Sequence, residues 1–390
     1  MSGDDMAATY THISRWGHQL DSRWRRYRCV LNFLHYRRYR EWLAQPKSAI
    51  PADKPLVVFD FADTRIDGPQ GRRFYHLFIY FVRAGYHPIL RENYLALHNM
   101  AVRFKGYCQQ EDFSVVARLE DIDRPYIRVT DWPTPKPRQL CQQTIRVDYT
   151  PGYSMGESVF PMPFPMFPAI YKHRQDLQLD AYRKQPRAWG IFFGGDGHGQ
   201  KYNKASMAEV YGKISRAQVL AMLEQHTKAG QCWIPENQQV LDSALQTYFD
   251  GLVLVNTRRC KIAPERWLSA VARARFFVAC PGVRYPMSHN LIEALAVGSV
   301  PILQYAELLF PALEHGKNCL VYRDEAELLL RIEQAQSMPE AEYQAMARAA
   351  VDYYEAYLAP GAVIGQLLAQ DSQSVTLRIM PSLKAGGGYL

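Results

Sequence analysis

Residues 274–303 read ARFFVACPGVRYPMSHNLIEALAVGSVPIL, and this stretch decides the fold. The apolar run 276–280 predicts a buried strand, which a proline and a glycine at 281–282 end. Residues 289–297 carry apolar side chains at helical spacing, and 300–303 form a second apolar run. The stretch is therefore a strand–loop–helix–strand unit of a parallel α/β sheet.

The loop before the predicted helix has the features of an anion site. A helix N-terminus leaves backbone N–H groups unpaired and carries partial positive charge, which suits a diphosphate. Ser288 can cap the helix, and His289 and Asn290 add side-chain donors. Glu293 lies one turn further on the face of His289, where its carboxylate can accept both hydroxyls of a ribose. The alternative for Glu293 is a solvated helix residue.

The rest of the chain repeats the alternation of strands and helices in two blocks. Strands are predicted at 56–61, 87–90, 126–130, 144–149, 189–193 and 252–256, and helices at 74–84, 215–225, 264–273, 325–336 and 339–358. Gly85 and Gly298 are the expected stops of two of these helices. With 390 residues, the alternation predicts two α/β domains with parallel sheets.

Composition excludes several classes of protein. The seven cysteines form no CxxC pair, which argues against a zinc ribbon or a redox motif and fits a reducing cytosol. No apolar run reaches the roughly 18 residues that a membrane-spanning helix needs. The net charge of +8 suits an anionic partner, although scattered surface cations would give the same value. We expect a cytoplasmic protein, with a peripheral position on the inner face of a membrane as the alternative.

Residues 12–45 are basic and aromatic. An apolar side at roughly helical spacing is formed by Val30, Leu31, Phe33 and Leu34. Such a helix either lies on an anionic membrane or packs on the main body with its arginines in solvent, and we expect no nucleic-acid partner. The arginines of the segment are Arg15, Arg23, Arg25, Arg26, Arg28, Arg37, Arg38 and Arg40.

The donor-binding signature of GT-B glycosyltransferases, in its exostosin-type form, resembles one arrangement of this chain: Pro281-Gly282…Ser288-x-Asn290-x-x-Glu293-Ala294…Gly298-x-x-Pro301. The resemblance implies an α/β fold of the GT-B kind, in which two Rossmann-like domains with parallel sheets face each other across a cleft. It implies sugar transfer from a nucleotide-sugar donor to an oligosaccharide or lipid-linked glycan acceptor, in surface polysaccharide or lipopolysaccharide assembly. By position, Glu293 would hold the ribose and Ser288 the phosphates. That pattern commonly has an arginine in place of Asn290.

The same resemblance divides the chain. A basic helical extension is expected at 1–50, a Rossmann-like acceptor domain at 51–180, a Rossmann-like donor domain at 181–360, and a helix end with a flexible tail at 361–390. The proline-rich stretch 151–170 is expected to be an ordered apolar segment that lines the cleft. Enzymes of this kind generally work without a bound metal, so no cofactor is expected beside the nucleotide sugar.

Two further clusters could contact the donor. Gly194 and Gly195 open a glycine-rich segment that resembles the glycine loop of the GT-B donor domain, with a plain turn as the alternative. Its spacing is not GxGxxG, which argues against a dinucleotide-dependent oxidoreductase. Arg258, Arg259 and Lys261 follow a predicted strand, where a cation could stabilise the leaving diphosphate.

The catalytic base is the least determined part. An inverting enzyme needs a carboxylate or a histidine near the acceptor hydroxyl, whereas a retaining enzyme needs none. Asp67, beside Gly68, is the preferred residue. A DxD pair at Asp121 and Asp123 resembles a metal motif of another glycosyltransferase fold, but short pairs of this kind are common by chance. The other candidates for the base are Asp60, Asp63, His76 and Glu157.

Two other functions fit the same residues. A nucleotide-sugar epimerase would share Glu293 and lack an acceptor groove. A non-catalytic glycan-binding protein would carry a degenerate donor site, which the absence of an arginine at Asn290 would explain. Donor hydrolysis with and without an acceptor separates the enzymes, and absence of nucleotide binding would favour the binding protein.

Overall fold

The computed structural model describes residues 27–149, 159–203, 205–226, 230–283 and 285–379. Contacts divide the chain into two compact units. The first comprises Met1–Met162 with Ile364–Ile379, and the second comprises Pro163–Val363 with Met380–Leu390. Within the described residues, a seven-stranded sheet lies in the first unit and a six-stranded sheet in the second. All strand pairings are parallel, which confirms the predicted α/β class with two Rossmann-like sheets.

The first unit alternates strands with helices and turns. Its elements are α1 (Phe33–Ala44), β1 (Leu56–Asp60), α2 (Arg72–Arg83), β2 (His87–Arg91), α3 (Tyr94–Leu97), β3 (Ser114–Val116), β4 (Tyr126–Thr130), β5 (Cys141–Asp148) and β6 (Val159–Pro161). On β1, Phe59 packs against Phe78 and Phe81 of α2, with ring centroids 5.8 and 5.9 Å apart. The opposite face of β1 packs Leu56 and Val58 into a second apolar cluster. Burial on both faces explains the continuous apolar run of this strand.

The second unit contains strands β7 to β12, and the last strand, β13, returns to the first sheet. Its elements are α4 (Pro168–Lys172), α5 (Leu179–Arg183), β7 (Trp189–Gly195), α6 (Gly199–Tyr202), α7 (Ala205–Tyr211), α8 (Arg216–His226), β8 (Cys232–Trp233), α9 (Gln238–Ala244), β9 (Phe249–Asn256), α10 (Trp267–Ala272), β10 (Ala274–Val278), α11 (His289–Val297), β11 (Val300–Leu303), β12 (Leu320–Val321), α12 (Glu325–Ser337) and α13 (Glu340–Tyr357). The chain then forms α14 (Pro360–Leu368) and β13 (Ser374–Arg378). Helices α8, α12 and α13 cover one face of the sheet, where Leu223, Leu328 and Tyr343 join Ile191 in a buried core.

Each sheet has one point at which the strand order reverses. The first sheet runs β3-β2-β1-β4-β5-β13-β6, so consecutive connections diverge between β1 and β4. The second runs β12-β11-β10-β7-β9-β8, and its divergence lies between β7 and β10. At such points the loops leave a crevice outside the carboxyl ends of the strands, which is where open α/β sheets bind ligands.

The predicted elements are largely confirmed, including a helix over 289–297 that ends at Gly298 with φ +72°. The predicted flexible tail is wrong for part of its length, because Ser374–Arg378 form β13 between β5 and β6. The short run VTLR alternates weakly, and only its sheet neighbours identify it as a strand. Contacts place the change of unit after Met162, whereas the sequence prediction places it after residue 180.

The proline-rich stretch 151–170 is ordered in its described part. Residues Val159–Pro161 form the edge strand β6, a position that tolerates proline because one side of the strand has no ladder partner. Pro168 opens α4, where the missing N–H of proline is harmless. Glu157, residues 1–26 and the last part of the predicted tail, residues 380–390, lie outside the described residues.

Candidate functional site

The loop before α11 lies at the divergence point of the second sheet. Pro281 and Gly282 follow β10, as predicted, and Asn290 Nδ2 donates to the carbonyl of Gly194 at the end of β7, over 2.8 Å. The first turn of α11 is thereby tied to the two strands that border the crevice. At the other end of the helix, Arg183 and Arg187 donate to the carbonyls of Ala296 and Val297, so cations compensate its C-terminus.

Ser288 occupies the N-cap position, but its side chain makes no cap hydrogen bond. The predicted side-chain cap is therefore wrong, although the helix starts where it was expected. The hydroxyl lies near the buried Tyr305, whose own hydroxyl donates to the carbonyl of Cys280 over 3.5 Å. The N-cap side chain thus leaves the amides of the first turn to another acceptor, and an anion is the ligand that such amides favour.

Arg216 is the residue that the sequence analysis missed. It opens α8 and is only 7% exposed, yet its Nε and Nη1 donate to the carbonyls of Pro281 and Asp196, over 3.1 and 3.2 Å. The guanidinium also lies 4.0 Å from the ring centroid of Tyr202. The carboxylate of Asp196 pairs with Lys201 over 2.8 Å. Within the described chain, Arg216 therefore has carbonyl and ring partners, and these leave its charge uncompensated.

The sequence does contain a signal for Arg216. A cation in the first turn of a helix opposes the helix dipole, so an arginine directly after a capping serine needs another reason to be there. Ser215 is that cap, because its hydroxyl accepts from the N–H of Gln218 over 3.3 Å. A planar guanidinium that is buried and uncompensated is suited to binding phosphate oxygens in pairs.

Packing accounts for Gly194, the first residue of the glycine-rich segment, and for Gly282 in the loop after β10. A side chain at Gly194 would approach the rings of Phe192 and Trp267 to 2.6 and 2.7 Å. At Gly282 a Cβ would lie 2.5 Å from the carbonyl oxygen of Tyr285. The structure therefore explains these residues without a ligand, and the contact of Gly194, Gly195 and Gly282 with a donor stays a prediction.

Asn256, at the end of β9, joins two loops of the same edge. Its Oδ1 accepts from the N–H groups of Gly197 and Arg258, over 3.3 and 3.1 Å. The side chain of Arg258 is exposed and acts on Asp196. The pKa of Asp196 is lowered, because the favourable interactions with Lys201, His198 and Arg258 outweigh the effect of burial. Lys261 is also exposed, and its backbone N–H donates to Gln238.

Glu293 has no exposed surface. Its Oε1 accepts from the N–H of Phe167 over 2.8 Å, and its Oε2 accepts from Trp267 Nε1 over 2.6 Å. Burial raises its pKa to about 7 against the opposing effect of these two donors. In this arrangement both oxygens already have protein partners, so the carboxylate positions its neighbours, and its contact with a ribose stays a prediction.

His289 reinforces the same contact. Its Nδ1 lies 2.8 Å from the carbonyl of Pro165, and its ring packs against Phe164 with centroids 4.6 Å apart. Together with Glu293, it fixes residues 164–167 along the first two turns of α11. The apolar segment that was expected to line the cleft is therefore held beside the predicted donor residues of its own unit.

Asp67, the preferred catalytic base, belongs to a buried ion pair. Lys105 has no exposed side-chain surface and lies 2.8 Å from Asp67 Oδ1, while Asn99 donates to Oδ2. The ammonium also donates to the carbonyl of Ala96 over 2.6 Å. Such a closed cluster binds two helical turns together, and it gives Asp67 a structural role.

The other candidate bases are also engaged. Asp63 caps the turn Thr64–Asp67 through the N–H of Arg65, and His76 packs against the ring of Tyr80. Asp131, which the sequence analysis did not single out, accepts from the N–H of Ala62 over 2.7 Å at the end of β4. Burial raises its pKa. Asp60 is bound by two arginines, Arg91 and Arg128.

The remaining observations concern metals, membranes and cysteines. Asp121 of the DxD pair accepts from the N–H and the guanidinium of Arg118. No group of three potential metal ligands occurs in the described part of the chain. Among the described helices, none is both long and apolar enough to cross a bilayer. The seven cysteines, all within the described ranges, are free thiols.

Comparison with solved structures finds neighbours of low similarity. A sucrose-phosphate synthase from Thermosynechococcus elongatus is 12% identical, with 81% of this chain and 99% of that chain covered and a TM-score of 0.39. An alpha-glucosyltransferase in complex with UDP and a 13-mer DNA is 9% identical, with 81% and 100% covered and a TM-score of 0.38. The Anabaena protein HepE, in complex with UDP and glucose, is 11% identical, with 81% and 100% covered and a TM-score of 0.35. No protein-family model and no curated protein matches the chain. At these identities and TM-scores, the inference on function rests on the residues of the site.

Proposed function

We propose that this protein is a glycosyltransferase of the GT-B kind that transfers a sugar from a nucleotide-sugar donor to a glycan. The observation that carries the proposal is the uncompensated guanidinium of Arg216 at the divergence point of the second sheet, bonded to the loops after β7 and β10. A nucleotide diphosphate matches this place in charge, and the first-turn amides of α11 supply further donors.

The chemistry follows from where negative charge develops. When an acceptor hydroxyl attacks the anomeric carbon, the glycosidic bond forms and the bond to the nucleotide breaks. The diphosphate takes the electron pair, and the hydroxyl proton passes to a base or to the leaving diphosphate. Arg216, the N-terminus of α11 and the exposed Arg258 would stabilise that charge without rearrangement. Glu293 acts as a positioning residue through Phe167 and Trp267. We expect no requirement for a metal ion.

The direct test is nucleotide binding to the full chain. We expect calorimetric titration to detect binding of UDP or another nucleoside diphosphate, unchanged by EDTA. Arg216→Gln should weaken it about 10- to 100-fold, since a charge-assisted pair of hydrogen bonds is lost. Arg348→Gln, on the exposed side of α13, is the matched control. Equal affinity in Arg216→Gln and the wild type would remove the site assignment.

The rival functions are separated by turnover. A transferase releases the nucleotide faster when a glycan acceptor is present, while an epimerase converts the nucleotide sugar without releasing it. A chain that binds glycans but no nucleotide from a panel of UDP, GDP, CMP, dTDP and ADP would be the non-catalytic binding protein. Binding of NAD alone would point to an oxidoreductase.

We also propose that the N-terminal segment lies on an anionic membrane. Tyr39 and Trp42 of α1 are buried and attach the helix to its unit, through contacts with Tyr94 and Phe113. The apolar side that was predicted from the sequence is instead exposed, with Phe33 at 76% and Leu31 at 75%. Exposed apolar residues beside arginines match a surface of acidic lipids in both properties. A lipid-linked acceptor in surface polysaccharide assembly would then be within reach of a cytoplasmic enzyme.

Vesicle sedimentation tests this part of the proposal. The full chain should bind vesicles that contain phosphatidylglycerol and leave pure phosphatidylcholine vesicles unbound. The double change Leu31→Ser with Phe33→Ser should reduce binding several-fold, because both side chains are exposed and their loss costs no core packing. Leu330→Ser, at another exposed leucine, is the control. Equal sedimentation of the double variant and the wild type would contradict the proposal.

A further inference from the structure

A cavity of about 410 Å³ lies in the first unit, at the divergence point of its sheet. Asp60 ends β1, Arg91 ends β2, and residues 117–120 and 132–136 follow β3 and β4, so the lining comes from four adjacent carboxyl ends. This volume lies within the range of small-ligand sites. The cavity has the same position in the first sheet as the candidate donor site has in the second sheet, outside the carboxyl ends of the strands.

The floor of the cavity carries excess positive charge. Asp60, with 1% of its surface exposed, is bound by the guanidinium groups of both Arg91 and Arg128, the latter through its Nε over 3.1 Å. One carboxylate cannot neutralise two arginines, and Arg128 is itself only 6% exposed. A buried cation without full compensation favours an anion from outside.

The rim adds to this charge. Lys136, Arg118 and Arg138 line the cavity there, and Glu120 is the one acid of the rim lining. Arg138 pairs with Glu120, but its buried Nε has no hydrogen-bond partner within the described chain. The lining as a whole therefore contains five cationic side chains and two carboxylates, and Arg118 also pairs with Asp121 outside the lining.

Trp132 gives the cavity an apolar wall. Its indole Nε1 donates to Asp60 over 3.2 Å, which fixes the ring, and 37% of the residue remains exposed. Indole faces pack well against the apolar C–H face of a pyranose, because an aromatic ring buries a large apolar area in such a contact. A fixed ring beside an anion site matches a sugar that carries a negative group.

We infer that this cavity binds the acceptor through an oxyanion on a sugar, either a phosphate ester or a carboxylate. This inference rests on the proposed function, because the ligand is an acceptor only if the protein is a transferase. In this reading Arg138 and Lys136 contact the oxyanion, the pair Arg91 and Arg128 attracts it, and Trp132 contacts the ring.

The experiment is a titration of the full chain with glucose 6-phosphate, glucuronate, glucose and inorganic phosphate, followed by ligand-observed NMR. We expect at least one charged sugar to bind more than about tenfold tighter than glucose and tighter than inorganic phosphate. The double change Lys136→Gln with Arg138→Gln should reduce that affinity about tenfold or more. Arg146→Gln, an exposed arginine on β5 away from the cavity, should leave it unchanged.

Each outcome decides one part. Binding of glucose 6-phosphate alone identifies a phosphorylated acceptor, and binding of glucuronate alone identifies an acidic sugar. Equal affinity for glucose and its charged relatives overturns the inference, as does full affinity in the double variant. Equal affinity for inorganic phosphate and glucose 6-phosphate overturns the sugar contact. Titration of UDP into the same double variant keeps the two proposals apart, since the variant should bind UDP as the wild type does. Absence of UDP binding by the wild type would count against the transferase and not against the cavity.

Discussion

Glu293 and Asp67 are carboxylates that the protein encloses almost completely. Glu293 holds two donors of its own unit, and Asp67 holds a lysine with no exposed surface. A sequence fixes the position of a carboxylate on a helix, but the partner comes from a segment far away along the chain. Phe167 and Trp267 could not be paired with Glu293 by any local pattern. Asp131 was missed for the same reason, whereas Arg216 was missed although its place directly after the capping Ser215 is a local signal.

The raised pKa of Glu293 predicts a pH dependence of stability. Burial raises that pKa from 4.5 to about 7, so the folded state holds a proton that the unfolded state has lost. The free energy of unfolding should therefore fall by roughly 3 kcal/mol as pH rises from 4.5 to about 7. Outside this range Glu293 should contribute little to the pH dependence. Urea unfolding at several pH values measures the slope. In Glu293→Gln this component should be absent, and in Glu342→Gln, an exposed control on α13, it should persist. An unchanged slope in Glu293→Gln would contradict the assignment.

The ion pair between Asp67 and Lys105 predicts how removal of the aspartate charge affects stability. Asp67→Asn leaves the buried ammonium of Lys105 without its counter-charge, which should cost about 3–5 kcal/mol of folding free energy. Thermal unfolding should show a clear loss, with the exposed Asp53→Asn as control. A catalytic base would behave in the opposite way, since its loss would abolish turnover and leave the melting temperature in place.

At the scale of elements, local patterns sufficed wherever a segment buries one regular face. The strands at 56–60, 126–130 and 300–303 and the helix at 289–297 lie where their apolar runs placed them. The pattern failed for β13, since its residues become a strand only through pairing with β5 and β6. For the N-terminal segment the pattern left two alternatives open, because periodicity gives an apolar side without saying whether anything covers it.

The position of β13 predicts the effect of shortening the chain. Valine and leucine of this strand are buried, and Arg378 pairs with Asp148 of β5 over 3.0 Å. A chain that ends after Leu368 loses the strand between β5 and β6 and leaves an open edge, so we expect its first unit to lose cooperative unfolding. A chain that ends after Ile379 keeps these contacts and should melt like the full chain. Calorimetry of the three chains makes the comparison, and equal melting of the shortest one would show that β13 is dispensable.

At the scale of the molecule, each unit has a buried arginine at the divergence point of its sheet. Both parallel sheets have a divergence point, and in both a buried arginine lies there with less negative charge than it needs. The composition hinted at this only through a net charge of +8, which says nothing of where the cations lie. Two anion sites in separate units suit a reaction with two charged substrates, one the nucleotide sugar and the other the acceptor.

This division of labour predicts two different losses of activity. Hydrolysis of the nucleotide sugar by water needs only the donor site, whereas transfer needs both. Arg216→Gln should therefore lower hydrolysis and transfer together. Lys136→Gln with Arg138→Gln should lower transfer to a charged acceptor about tenfold and leave hydrolysis within about twofold of the wild type. Because the two sites share no described residue, the triple variant should show the product of the separate effects on transfer. Initial rates of nucleotide release with and without acceptor provide all of these values. If the double change lowered hydrolysis as strongly as transfer, the cavity of the first unit would be part of the donor site, and the assignment of two separate sites would be wrong.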